Sequence, residues 1–115
     1  KPLNGSDVLV LGASYKPDID DLRESPAIDV IRLLQQKGAN VIYHDPYIPE
    51  ITHEDWHIAS VKDLMKAVKN ADCVVIITNH KVYDYKAILE GSRLIVDTRN
   101  ALGKSGWKNP KVVRL

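Results

Sequence analysis

Cysteine occurs once, at Cys73, so no disulfide can form within the chain. That composition suits a reducing compartment, and a cytoplasmic location is the expectation. Charge of one sign is equally scarce. Sixteen basic residues face fifteen acidic ones, for a formal charge of +1. A nucleic-acid or membrane-surface partner would call for a basic excess gathered on one face, so neither is expected. The amino terminus has no apolar leader, and no hydrophobic run approaches the roughly 20 residues of a membrane span. Internal repeats and low-complexity stretches are absent. So is the G-x-G-x-x-G dinucleotide fingerprint, because only Gly12 stands after the first apolar run. A Walker lysine motif is missing too, which argues against phosphoryl transfer. The chain starts at Lys1 rather than at methionine, and that points to a piece of something longer.

What is present suffices for one folded unit. The 115 residues are 44% hydrophobic, enough to bury a core without a disulfide or metal, and residues 1–115 read as a single domain. Val8–Leu11, Val41–Tyr43, Cys73–Ile77 and Leu94–Val96 are short apolar runs bounded by turn residues, and Val112–Val113 is a weaker one. Continuous apolar runs of this length suit strands buried on both faces. Between the first two lies a well-punctuated helix. Ser25 is a good N-cap, Pro26 fits the first helical position, Ile28, Ile31 and Leu34 make an apolar face beside Val30 and Leu33, and Gly38 supplies the stop. Val61, Leu64, Met65 and Val68 recur at helical spacing, predicting a helix over 60–70, and a short helix is expected over 84–89. Residues 46–56 read as a loop. Strands alternating with helices imply an α/β fold, a Rossmann-like three-layer sandwich on a mostly parallel sheet of about five strands. Ligands of such sheets bind beyond the carboxyl ends of the strands, here residues 12–24, 45–47, 78–80 and 97–101.

The segment after the first strand carries Lys16 and Arg23 among Asp18, Asp20, Asp21 and Glu24, beside a helix N-terminus. A cation there can hold a phosphate with help from backbone N–H groups. A solvated loop whose acids complement the helix dipole explains the same residues. Other positions have bland readings. Cys73 lies inside an apolar run and reads as a buried thiol rather than a nucleophile. His53 and His57 stand four apart, but no carboxylate or thiol accompanies them at matching spacing, so no metal is expected. His80 serves either a structural hydrogen bond or a ligand contact. Asp45 closes the second strand, where it can hold a ribose or shape a turn with Pro46.

Several of these segments carry a specific wording. Tyr15-Lys16-Pro17-Asp18-Ile19-Asp20-Asp21-Leu22-Arg23-Glu24-Ser25-Pro26, Gly38-Ala39-x-Val41, Tyr43-His44-Asp45-Pro46-Tyr47, residues 71–80 and Asp97-Thr98-Arg99-Asn100 together resemble the carboxy-terminal domain of the UDP-glucose/GDP-mannose dehydrogenase family. The Tyr-His-Asp-Pro-Tyr wording is closer to the UDP-N-acetylhexosamine branch. The resemblance implies a two-domain, NAD-dependent enzyme of polysaccharide biosynthesis that oxidises the C6 hydroxyl of a UDP-sugar to a carboxylate. NAD and a catalytic cysteine then belong to parts outside this chain, which alone is expected to be inactive. It also implies that Lys16, with Tyr15 beside it, and Arg99 contact the UDP-sugar, that Arg23 reaches the NAD phosphates, and that the whole protein forms homo-oligomers. An ion pair of Arg23 with Asp20 or Glu24 is an equally good account of that residue. Where the family often has aspartate, this chain has Asn79, which puts any role for that charge in doubt.

Two rivals use the same fold. A phospho-receiver needs an aspartate at the end of the third apolar strand, where Thr78-Asn79 stand instead. A stand-alone oligomerisation module is the other.

Overall fold

The computed structural model describes residues 3–14, 25–53, 56–106 and 108–114, with the side chains of residues 53 and 105 outside the description. Five strands form one parallel sheet: β1 (Asp7–Leu11), β2 (Asn40–His44), β5 (Cys73–Ile76), β6 (Ile95–Asp97) and β7 (Val112–Arg114), in the order β2-β1-β5-β6-β7. The α/β reading with five parallel strands holds. Each crossover needs a covering element. The helix α1 (Ala27–Gln36) joins β1 to β2, while α2 (Leu64–Asn70) precedes β5 and α3 (Tyr85–Gly91) joins β5 to β6.

The sheet is buried on both faces at its centre, which is why β1 is apolar from Val8 to Leu11. Leu9 and Leu11 face α2 and α3, packing with Val68, Val74, Ile76, Ile88 and Ile95. Val10 faces the other way, into Ile31, Tyr43, Ile51 and Ile77 beneath α1. Alternation by two residues thus divides one strand between two cores.

α1 stops where its punctuation predicts and starts one residue later. Pro26 holds the N-cap position rather than the first helical one, the Ser25 hydroxyl just ahead of it accepts from the Ala27 N–H at 3.1 Å, and the first helical bond runs from Val30 N–H to the Pro26 carbonyl. At the other end Gly38 adopts φ +90°, with Ala39 N–H bonded to the Leu34 carbonyl and Gly38 N–H to that of Gln35. That paired pattern is a Schellman stop, and it requires the left-handed residue that glycine supplies.

Two expectations need correction. Residues 46–56 are not all loop: β3 (Glu50–His53) pairs antiparallel with β4 (Trp56–Ala59). Ile51 and Ile58 face each other across the ribbon and pack against the α1-side core, while Glu50, Thr52 and His57 stay exposed. The helix over 60–70 begins only at Leu64, because Asp63 caps it through Lys66 N–H, and Ser60 is drawn into a bridge with Tyr43. His53 and His57 therefore share no helix face. They lie on opposite strands of the ribbon, and His57 bonds Thr52 instead. Among the described residues no group of three metal-ligating side chains gathers.

Candidate functional site

β1 lies between β2 and β5, so the chain leaves it in one direction and returns on the other side. In sheets of this kind the ligand crevice lies at that reversal, beyond the carboxyl ends of the strands. Four loops meet there: residues 12–14, 45–48, 77–80 and 98–102.

Gly12 makes the meeting possible. It has φ +88°, and a Cβ on it would lie 2.5 Å from Thr78 Cβ and 2.7 Å from the Thr78 backbone. Its role is close packing of two strand ends, with its N–H bonded to the His44 carbonyl at 2.9 Å.

A buried polar hub fills the floor. The side chains of Asp45 and His80 are both 0% exposed. Asp45 Oδ1 accepts from the N–H groups of Tyr47 at 2.8 Å and Ile48 at 3.2 Å. Its Oδ2 accepts from the N–H groups of Ala13 at 2.6 Å and Ser14 at 3.1 Å. His80 Nε2 lies 2.8 Å from the same Oδ2. Both carboxylate oxygens already accept backbone N–H groups, so the shared proton sits on His80 Nε2. Ser14 Oγ is 3.2 Å from that same nitrogen, and Thr78 Oγ1 donates to the Ser14 carbonyl at 2.7 Å. The ring of Tyr47 packs 4.9 Å from that of His80, and Tyr85 donates its hydroxyl to the His80 carbonyl. A nucleophilic relay needs serine and aspartate at opposite imidazole nitrogens. Here both contact Nε2, so the cluster is a clamp rather than a triad.

The next shell is held by phenols. Tyr83 donates to the His44 carbonyl at 2.9 Å, and Tyr43 to that of Ile48 at 2.8 Å. Burial pushes both phenols well above their ordinary range, so they stay protonated donors.

Among the described residues, Arg99 brings a cation to these strand ends. Asp97, fully buried at the end of β6, accepts from the N–H groups of Arg99, Ala101 and Leu102 and so shapes the loop, in which Asn100 takes φ 54°. The exposed Arg99 side chain turns back to β5, where its Nε donates to the Ile77 carbonyl at 2.8 Å. Among the described residues no carboxylate pairs with it. Its terminal nitrogens are thereby left to offer a fork to an anion.

Of the expected site residues, the structure places Arg99 at this crevice. Tyr15, Lys16 and Arg23 lie outside the described residues. Asp45 shapes its turn, and a ribose is left no oxygen to bind. With that carboxylate consumed and Gly12 given over to packing, the described residues do not fit a dinucleotide such as NAD. Sequence reasoning weighed Asp45 and His80 separately and missed that Ser14 joins them.

Residues 9–104 match the model of the UDP-glucose/GDP-mannose dehydrogenase family, UDP binding domain. The chain is 36% identical over 109 residues to the UDP-N-acetyl-D-mannosamine dehydrogenase of Methanococcus vannielii, covering 88% of this chain and 24% of that protein. It is 35% identical over 108 residues to the UDP-glucose 6-dehydrogenase of Rhizobium meliloti, covering 89% and 25%. The solved UDP-D-ManNAc dehydrogenase of Pyrococcus horikoshii superimposes with a TM-score of 0.74 at 27% identity, over 99% of this chain and 26% of that one. The chain thus spans about a quarter of the length of these relatives.

Proposed function

The chain belongs to the UDP-glucose/GDP-mannose dehydrogenase family, and from that premise we propose that residues 1–115 form the UDP-sugar-binding domain of a longer NAD-dependent dehydrogenase. The reaction is oxidation of a sugar C6 hydroxyl to a carboxylate by two hydride transfers, in the cytoplasmic supply of sugars for polysaccharide biosynthesis. Relatives named for UDP-N-acetyl-D-mannosamine and the wording of residues 43–47 favour a UDP-N-acetylhexosamine as substrate. NAD, when bound, accepts the hydrides, and parts of the longer protein beyond this chain hold it. This chain's task is binding and orientation.

One observation carries the reading. Arg99 is anchored by Nε at the crevice between strand ends, with no carboxylate neutralising it among the described residues. A guanidinium held by one nitrogen keeps its other donors for two oxygens of a pyrophosphate, and such charge-assisted forks are roughly twice as strong as neutral hydrogen bonds. Lys16 and Tyr15 complete the grip, and Arg23 reaches toward the NAD phosphates. Homo-oligomers of the longer protein are part of the same reading.

Calorimetric titration of the chain with UDP tests it. Binding is expected, and Arg99→Ala weakens it about tenfold or more, the loss of one bidentate charged contact. Equal affinity of the variant, or no heat from the wild type at millimolar UDP, refutes the assignment. The chain alone is expected to show no dehydrogenase activity.

A further inference from the structure

We propose that Asp97 and Thr98 are positioning residues for Arg99: they fix the turn after β6 so that the guanidinium is already seated against β5 when an anion arrives. The inference rests on the proposed UDP-binding function and deepens it, because it names what holds the cation that grips the pyrophosphate.

Arg99 is tied at its backbone and at its side chain, and to two strands. Asp97 Oδ1 accepts the Arg99 N–H at 3.0 Å and that of Ala101 at 3.0 Å, while Oδ2 accepts from Leu102 at 3.1 Å. The carboxylate is buried, and Leu102, at the far end of the turn, packs into the core beside Val68 and Ile88. Thr98 fastens the same turn to β5. Its hydroxyl donates to the Ile76 carbonyl at 2.6 Å, and its N–H to the same oxygen at 3.4 Å. One residue further along, Arg99 Nε donates to the Ile77 carbonyl at 2.8 Å. The carbonyls at the end of β5 thus carry both the turn and the guanidinium that projects from it.

A carboxylate two residues from an arginine could have taken the guanidinium in an ion pair. Asp97 takes the Arg99 backbone instead, so the turn is fixed while the cation keeps its charge for a ligand. The three N–H groups on its two oxygens also satisfy a carboxylate that is wholly out of water. The consequence is for binding. A freely rotating arginine loses that freedom when it clasps a ligand. One held by Nε has lost part of it on folding and presents a planar fork already aimed.

Removing the support is expected to act through Arg99. Asp97→Ala removes the acceptor of all three N–H groups, whereas Asp97→Asn keeps Oδ1 for Arg99 and Ala101. Thr98→Val keeps the shape of the side chain and removes the hydroxyl donor. Val68→Ala, in the core between α2 and the sheet, lowers stability away from the turn. Measured by calorimetry with UDP, Asp97→Ala is expected to weaken binding about tenfold and Thr98→Val about threefold. Asp97→Asn keeps most of the affinity, and Val68→Ala keeps it despite a lower Tm. In proton–nitrogen correlation spectra the Arg99 Nε–H exchanges faster with water in Asp97→Ala and Thr98→Val than in the wild type or Val68→Ala. The double variants decide. With Arg99→Ala in place, Asp97→Ala or Thr98→Val costs no further affinity, because residues that act through one group are not additive. A full further loss on that background overturns the positioning role. Wild-type affinity in both single variants, an unchanged Nε–H exchange, or an equal loss in Val68→Ala overturns it too. A wild-type chain that binds no UDP refutes the proposed function instead, and the Nε–H exchange then decides the anchoring of Arg99 alone. Should Asp97→Ala fail to fold, Thr98→Val carries every comparison.

Discussion

Asp45 illustrates how much one side chain can determine once it is out of water. Its two oxygens accept four backbone N–H groups and one imidazole N–H, and together these fix the ends of two loops. The sequence suggested that it shapes a turn, and it does. The rest of its work was hidden, because Ser14 and His80 stand 66 positions apart and no local pattern links them. Arg99, by contrast, was singled out by the resemblance carried in residues 97–100, and the structure sets it in a strand-end loop, where such sheets bind ligands. Two titrations belong to this scale. Burial lowers the pKa of His44 below the ordinary 6.5, reinforced by His80 and opposed by the charge of Asp45. A base whose folded pKa lies below its unfolded one takes up protons more readily when unfolded, so its contribution is present above about pH 6.5 and lost as the pH falls toward the folded value. An NMR titration should give His44 a midpoint below 6.5, and a midpoint above it would contradict the burial argument. Cys73 is shifted upward, by burial first and by Asp72 second. Its alkylation near pH 8 is expected to be much slower in the native chain than in denaturant, and equal rates would show the thiol to be open.

Elements read best where their signals are local. The end of α1 was visible, and its start to within one residue, because start and stop signals act within a few residues. Gly38→Ala forces a Cβ onto φ +90° and against Asn4, and is expected to lower stability by about 1–2 kcal/mol in urea melts. An unchanged midpoint would mean that the stop is dispensable. The ribbon β3–β4 escaped notice because each strand has only four residues, too few for alternation to stand out beside Pro46 and Pro49. The start of α2 was misread for another reason. Val61 fits the helical period, yet its N–H bonds the Tyr43 carbonyl and tertiary pairing keeps it extended. The apolar stripe of α1 was also read too broadly. Ile31 is fully buried while Leu33 is 54% exposed, so Ile31→Ala should cost about 2–5 kcal/mol and Leu33→Ala well under 1. Equal losses would contradict the packing described.

Over the whole molecule, concavity and chemistry separate. Among the described residues a hollow of about 500 Å³ is an apolar cleft toward the amino ends of the strands, lined by Leu3, Val8, Leu34, Val75, Leu94 and Val96. Its one exposed cation, Arg93, is paired with Asp72 at 3.3 Å, so nothing there suits a pyrophosphate. The opposite end offers Arg99 and a rigid floor of buried hydrogen bonds. Strand order accounts for this: reversal at β1 brings loops from β1, β5 and β6 to one edge, and among the described residues Arg99 stands there. The decisive measurement is therefore the map of backbone amide shifts as UDP is added to the isotope-labelled chain. Changes are expected to gather at Ser14, Thr78, Asn79 and Arg99. Changes gathered instead at Leu3, Cys73, Arg93 and Leu94, or none at millimolar UDP, would contradict binding at the carboxyl ends of the strands.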